Sequence, residues 1–250
     1  MKNIFCLLGI IFLIPTICSA QLTGAELIEK SIRFHDPDSS WHKLFTDIDI
    51  VIAVNRDNTL DTTERKLMLD LENGVFEMRY VKDEKSALLH YAADTCYGTL
   101  ENELEIDPIF MDYHRINCDR AKMFNSYYRY LIGLPMKLND AGAIINPYVN
   151  EVTFKEIKYN VVKVTYDPQV GTDTWRFYLD PKTHQLEIAE FSKNGLFDKG
   201  EKIMLSLHQR VQNILLPGRM EWYSLPYHAF VADEKLIYTA KKRKSASGSD

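Results

Sequence analysis

The feature that most constrains this chain is a series of short segments in which apolar and polar residues alternate. Between residues 44 and 54 nearly every even position is apolar, whereas Asp47 and Asp49 fall on the opposite face. A period of two is typical of a strand with one buried face. The further segments that we interpret as strands are 62–71, 75–81, 86–92, 96–101, 150–155, 159–166, 173–180, 185–191, 201–209, 219–224 and 233–240.

Turn residues separate these segments and favour a mostly antiparallel sheet, because antiparallel strands can be joined by short connections. Asn73-Gly74 predicts a type I′ hairpin turn, since both residues tolerate a positive φ. Asp180–Thr183 and Asn194-Gly195 are further turn sequences. In the connection 167–173, Gly171 is expected to supply a positive φ.

Two segments have helical patterns. Thr23 and Glu26 have the spacing of a capping box, which predicts a helix that runs to about Phe34. A second helix is predicted over 119–132, with Gly133 as its stop signal. The expected fold class is therefore α+β, mainly β with helices, in which a curved antiparallel sheet or half-barrel covers one or two helices.

The first 20 residues have the order of a secretory signal peptide. Lys2 is followed by an apolar run and then by the small pair Ser19-Ala20. We expect cleavage after Ala20 and a location in the periplasm or outside the cell. The run is shorter than the roughly 20 residues of a transmembrane helix, so no transmembrane segment is expected. The remaining chain is interpreted as one domain at 21–240 and a flexible, basic and serine-rich tail at 241–250.

Two cysteines follow the signal peptide, Cys96 and Cys118. In an oxidising compartment such a pair favours a disulfide, which would fix the second helix to the sheet. Two buried thiols are the alternative. A redox-active pair is disfavoured because the spacing differs from Cys-x-x-Cys.

Charge and motifs exclude several functional classes. The formal net charge of -5 argues against a nucleic-acid partner, which needs a clustered basic surface. The sequence has no Gly-x-Ser-x-Gly, Gly-x-Gly-x-x-Gly, phosphate-loop or His-Glu-x-x-His motif. We therefore expect a protein that is not an enzyme and that has no cofactor and no metal.

One polar cluster is the best candidate for chemistry. His35, Asp36, Asp38 and His42 lie close in sequence and could surround a metal or share protons. The same Asp-Pro-Asp-Ser-Ser sequence ends helices and forms turns, because Asp accepts backbone amides. We favour the turn, and a secreted hydrolase that uses the four side chains is the alternative.

The expected sheet suggests binding rather than catalysis. A curved antiparallel sheet leaves a concave apolar face, and such clefts commonly hold small hydrophobic ligands. The aromatic and methionine side chains expected to line it are Trp41, Met68, Met78, Tyr127, Tyr128 and Trp175. The hypothesis is that the chain binds a lipid or the acyl chain of a lipoprotein. An envelope scaffold with a filled interior and no small ligand is another possibility.

Several segments together resemble an uncharacterised family of exported bacterial proteins. The segments that carry the resemblance are 35–41, Cys118–Ala121, Gly133–Leu138, 165–168, 173–175 and 180–183. This family implies no catalytic residues. The Asp-Pro-Lys-Thr turn followed by Leu186 is also similar to the half-barrel of periplasmic lipoprotein carriers. That resemblance implies a curved antiparallel sheet that is covered by helices and holds acyl chains.

Overall fold

The computed structural model describes residues 22–103, 106–196 and 199–242. The predicted signal peptide at 1–20 lies outside these ranges, as do residues 243–250 of the predicted tail. The helices are α1 (Gly24–His35), α2 (Pro108–Tyr113) and α3 (Cys118–Ile132). The strands are β1 (Phe45–Arg56), β2 (Thr59–Asp70), β3 (Val75–Lys82), β4 (Lys85–Tyr91), β5 (Cys96–Leu100), β6 (Ala143–Phe154), β7 (Ile157–Tyr166), β8 (Thr174–Leu179), β9 (Leu186–Ser192), β10 (Gly200–Ser206), β11 (Gln209–Val211), β12 (Ile214–Leu216), β13 (Arg219–Ser224) and β14 (Ala229–Ala240).

Twelve of these strands form one curved, open antiparallel sheet, which confirms the predicted fold class. Their order is β5-β4-β3-β2-β1-β14-β13-β10-β9-β8-β7-β6, and β11 and β12 form a separate hairpin. The last strand, β14, pairs with β1 from Thr46–Ala240 to Val54–Ala232. This pairing joins the two halves of the chain into one continuous sheet.

Alternation along the strands gives the sheet an inner face, which packs against the helices, and an outer face. In β1 the side chains of Ile48, Ile50 and Ile52 are buried on the inner face. Asp47 and Asp49 lie on the outer face, as predicted. The main core lies between the inner face, α1 and α3.

Four hairpins are closed by two residues that both have positive φ, between 45° and 68°. They are Asp57-Asn58, Asp83-Glu84, Lys155-Glu156 and Gln212-Asn213. The type I′ prediction for Asn73-Gly74 is wrong: Asp70 pairs with Val75, so four residues form the loop, and only Gly74 has a positive φ. None of these four two-residue turns contains glycine.

The positive φ predicted at Gly171 is also wrong. The left-handed glycine of this region is Gly142, with φ +88°. A Cβ at Gly142 would lie 2.7 Å from Val170, so the connection that contains Gly171 packs against a glycine almost 30 positions earlier. This contact could not be predicted from the sequence, because its two partners are far apart along the chain.

Several strand boundaries differ from the alternation pattern. The segment predicted as 201–209 ends at Ser206, because Leu207 has φ +50° and the chain turns into the β11–β12 hairpin. Strand β6 begins at Ala143 rather than 150, with an irregularity between Ile145 and Val149 that breaks the alternation. Strand β14 begins at Ala229 rather than 233, next to a second irregularity between Trp222 and Tyr223.

The helix predictions are confirmed at their starts. Thr23 and Glu26 form the capping box: the Glu26 backbone amide donates to the Thr23 hydroxyl, and the Thr23 amide donates to the Glu26 carboxylate. The pattern missed α2, a six-residue helix that begins at Pro108 after the cap Asp107. A helix this short leaves almost no periodicity to detect.

Candidate functional site

Helix α3 crosses the inner face of the sheet. Near its start it packs on β4 and β5. Near its end, Tyr130 contacts Trp175 of β8 and donates to or accepts from the hydroxyl of Tyr166 of β7 at 2.7 Å. The side of the helix that faces the sheet is buried through Phe124, Tyr128, Leu131 and Ile132. The helix therefore divides the space over the inner face into two parts.

Both ends of α3 are fixed. The Asn117 side chain accepts a hydrogen bond from the Arg120 amide at 3.0 Å and caps the first turn. The predicted disulfide is present: Cys96 of β5 and Cys118 are joined, with a Cα–Cα distance of 5.1 Å. At the other end, a Cβ on Gly133 would lie 2.4 Å from the Trp41 ring, so only glycine allows this close packing.

A buried polar cluster lies beneath α3, at the centre of the sheet. A guanidinium nitrogen of Arg65 in β2 donates to the Tyr128 hydroxyl at 2.6 Å. The Tyr127 hydroxyl donates to Oε1 of Glu234 in β14 at 3.1 Å. Among the described residues, neither Oε2 of Glu234 nor the indole nitrogen of Trp222 has a hydrogen-bond partner. Such atoms are rare in a protein interior.

The electrostatics of this cluster follow from its burial. Burial raises the pKa of Glu234 to about 7, although the positive charge of Arg65 and the Tyr127 hydrogen bond oppose the rise. Burial also raises the pKa of the Tyr127 and Tyr128 hydroxyls, and the neighbouring carboxylate adds to the effect. The pKa of Glu234 therefore lies near neutral pH at a buried position.

The first cleft lies beside the C-terminal half of α3 and has a volume of about 580 Å³. Its aromatic wall consists of Tyr130, Tyr166 and Trp175. Charged side chains at its rim are Arg129, Lys137, Asp140 and Asp173, of which Lys137 and Asp140 form an ion pair. An apolar wall beside a polar rim is the usual make-up of a ligand site.

The second cleft lies beside the N-terminal half of α3 and has a volume of about 840 Å³. Met78 and Tyr80 of β3 contribute from the sheet, and Phe124 contributes from α3. Its cationic side chains are Arg56, Arg65, Lys82 and Arg120, and its carboxylates are Glu64 and Asp83.

The six residues predicted to bind a ligand do not share one cavity. Met78 lines the second cleft and Trp175 lines the first. Met68 pairs with Asp47 and Glu77 and therefore lies on the outer face. Tyr127 and Tyr128 belong to the buried polar cluster, and Trp41 packs at the end of α3.

The four residues of the predicted His and Asp cluster have separate partners. His35 is buried, its Nδ1 lies 2.9 Å from the carbonyl oxygen of Ser31, and burial lowers its pKa to about 4. Asp36 accepts from the backbone amides of Ser40 and Trp41, both at 2.8 Å, which is the expected turn role.

The other two members are exposed. Asp38 accepts from the side-chain amide of Asn213 at 2.6 Å, and His42 lies in a 3₁₀ turn. Among the described residues, no group of three or more His, Cys, Asp or Glu side chains is placed to hold a metal ion. The hydrolase hypothesis stays a prediction.

No sequence motif pointed to Arg65, Arg120 or Glu234. The alternation of apolar and polar residues could have identified two of them, Arg65 and Glu234. Arg65 shares the parity of Leu67 and Leu69 in β2, and Glu234 shares the parity of Leu236 in β14, so each is a charged residue at an inward position. Charged side chains at inward positions mark functional candidates, because burying a charge is costly.

The fold places the chain in a class that solved structures define: an open, curved antiparallel sheet with helices on its inner face. A LolA superfamily protein from Nitrosomonas europaea matches with a TM-score of 0.53 and 10% identity, covering 90% of this chain and 96% of that one. A structure from Vibrio parahaemolyticus that is described as an outer membrane lipoprotein-sorting protein domain matches with a TM-score of 0.50 and 12% identity. The match covers 87% of this chain and 94% of that one. A DUF1329 family protein from Desulfovibrio piger matches with a TM-score of 0.50 and 10% identity, covering 90% and 96%.

At the level of sequence, the chain belongs to the Family of unknown function (DUF6503), which matches residues 2–204. The comparison with curated proteins finds no match. Within the described ranges, no helix is both long and apolar enough to cross a membrane.

Proposed function

We propose that this protein is exported and binds a hydrophobic ligand, the acyl chain of a lipid or lipoprotein, in the clefts beside α3. The observation that carries the proposal is that α3 leaves two clefts over an apolar sheet face, of about 580 and 840 Å³. Both volumes fall in the range of roughly 300–1,000 Å³ that is typical of small-molecule sites. No catalytic step is proposed.

Two further observations support it. One structure with the same fold is described as an outer membrane lipoprotein-sorting domain, although a shared fold does not determine function. The N-terminal sequence has the order of a signal peptide, which is consistent with export to a compartment where lipids and lipoproteins are handled.

The test uses a neutral lipid analogue and three variants of the mature chain. Displacement of the fluorescent probe N-phenyl-1-naphthylamine by dodecanol reports binding to an apolar site. Thr63→Trp fills the second cleft and Ala141→Trp fills the first. Thr62→Trp is the matched control, because Thr62 pairs with Ala53 on the outer face of the same strand.

We expect at least one cleft variant to weaken dodecanol binding about tenfold, since an indole ring would occupy the volume of the chain. The control should bind like the wild type. If dodecanol fails to displace the probe from the wild type, or if all three variants bind equally well, the proposal is wrong.

A further inference from the structure

We propose that the second cleft recognises an anionic headgroup, a carboxylate or phosphate carried by an acyl chain, through Arg65 and Arg120. This inference rests on the proposed function and adds the chemical class of the ligand. Its basis is a pair of arginines that share one aromatic ring beside apolar side chains and that have, among the described residues, no carboxylate oxygen within 4 Å.

The two guanidinium groups meet at Phe124 on α3. The guanidinium carbon of Arg65 lies 5.0 Å from the centre of the Phe124 ring, and that of Arg120 lies 4.4 Å from it. Both arginines line the second cleft and are half-buried. The Tyr128 hydroxyl accepts from Arg65 and fixes its orientation, so this side chain is held in place before any ligand arrives.

The charge of Arg65 acts on the buried Glu234 carboxylate of the polar cluster, but neither cleft arginine forms an ion pair with a carboxylate of the described residues. Among the described residues, no carboxylate oxygen lies within 4 Å of either guanidinium. The carboxylate of Asp83, which also lines the cleft, lies 2.9 Å from His114 Nε2 and 4.0 Å from the Lys82 ammonium. Glu64 lies at the rim and is exposed.

Burial lowers the pKa of Arg120, and the nearby positive charges of Arg115 and Arg65 lower it further. An anion between Arg65 and Arg120 would remove this repulsion. Planar guanidinium groups bind carboxylate and phosphate oxygens in well-defined, often bidentate geometry.

Two arginines on the outer face of the same sheet, in contrast, form ion pairs with carboxylates. Arg79 contacts Glu77 and Glu101, and Arg219 contacts Asp233 at 2.8 Å. Arg56 and Arg176, which lie in strands of the same sheet, also have a carboxylate within 4 Å, so among the arginines in the described strands of this sheet Arg65 is the exception. Arg120 of α3 faces the same Phe124 ring as Arg65, which favours one anion from outside the chain between the two.

The surface next to the guanidinium groups explains why the anion would carry a tail. Val81 and Tyr113 also line this cleft and are 70% and 80% exposed, and Tyr80 of the same lining is half-buried. A small free anion would contact only the charges, whereas an anionic amphiphile would also cover this apolar surface.

The test compares ligands that share a tail or a charge. The affinities of dodecanoate, dodecyl phosphate, dodecanol, acetate and inorganic phosphate are measured on the wild type by probe displacement or calorimetry at one ionic strength. Charge-assisted hydrogen bonds should make dodecanoate and dodecyl phosphate bind roughly 10- to 100-fold more tightly than dodecanol. Acetate and phosphate alone should bind far more weakly.

The variants Arg65→Gln and Arg120→Gln should each lower the ratio of dodecanoate affinity to dodecanol affinity, because each removes a cationic donor that only the carboxylate can engage. Lys66→Gln is the matched control, because Lys66 follows Arg65 in β2 but lies on the outer face, near Asp49. Its removal of one positive charge should leave this ratio unchanged.

The outcomes separate this inference from the proposed function. If dodecanol binds as tightly as dodecanoate, the headgroup site is refuted and the apolar site remains. If acetate or inorganic phosphate binds as tightly as the amphiphiles, the site takes small anions and the inference is overturned. If neither the alcohol nor the carboxylate binds, the proposed function fails and the inference fails with it.

Discussion

The variant Glu234→Gln should change how stability depends on pH. Folding raises the pKa of Glu234 from 4.5 to about 7, mainly through burial. Between these pH values the native protein keeps a proton that the unfolded chain has lost, so the free energy of unfolding falls as pH rises. The contribution is fully present below about pH 4.5 and is lost as pH increases through about 7.

The size of the effect follows from the size of the pKa change. The free energy of unfolding falls by about 1.4 kcal/mol for each pH unit between the two pKa values, which gives about 3 kcal/mol over the whole interval. Glutamine has a similar shape and does not titrate. The stability of the variant relative to the wild type should therefore rise by about 3 kcal/mol between pH 4.5 and pH 8.

Urea denaturation of both proteins at intervals from pH 4.5 to 8.5 measures this difference. Other groups also titrate: burial lowers the pKa of His35 to about 4 and that of His208 below its usual value. These groups make stability rise with pH, the opposite direction, but they are present in both proteins and cancel in the comparison.

The Tyr127→Phe variant checks the cause. Loss of the hydrogen bond to the carboxylate should raise the pKa of Glu234 further and extend the fall in stability to higher pH. A stability difference between wild type and Glu234→Gln that stays constant across the pH range would refute the reasoning.

Two other predictions concern stability. In urea denaturation, the free energy of unfolding of the double variant Cys96→Ala, Cys118→Ala should be about 3 kcal/mol lower than that of the wild type, because the disulfide closes a loop with a sequence separation of 22. Dithiothreitol should lower the stability of the wild type and leave that of the variant unchanged. Lys202→Met should lower the free energy of unfolding by about 3 kcal/mol, because the Lys202 ammonium lies 3.1 Å from the buried Glu190 carboxylate. This is the lower end of the range for breaking a buried ion pair, since Arg176 still pairs with Glu190, and an unchanged urea midpoint would contradict the prediction.

Alternation and local turn chemistry account for the parts of the fold that the sequence predicted. The 44–54 segment became β1 with Asp47 and Asp49 on the outer face, and the Thr23 capping box starts α1. Both patterns depend on neighbouring residues alone. The order of the strands was not predictable in this way, since β14 pairs with β1 across more than 170 residues of chain.

The same limit applies to turns and to the site. Asn73-Gly74 has the composition of a tight turn, but the pairing of Asp70 with Val75 determines a longer loop. Tyr127 and Tyr128 lie in α3, the helix predicted over 119–132, and their role in ligand binding stays a prediction. Their partners Glu234 and Arg65 come from strands far away in sequence, so the polar cluster exists only in the folded chain.

The most direct measurement is native mass spectrometry of the protein purified from its own exported fraction, followed by organic extraction. The proposal predicts an acyl lipid bound at one or a few copies per chain. It also predicts a lower lipid-bound fraction for Thr63→Trp or Ala141→Trp than for the outer-face control Thr62→Trp. A protein that carries no lipid, and takes up none when a delipidated sample is incubated with lipid, would contradict the proposed binding function.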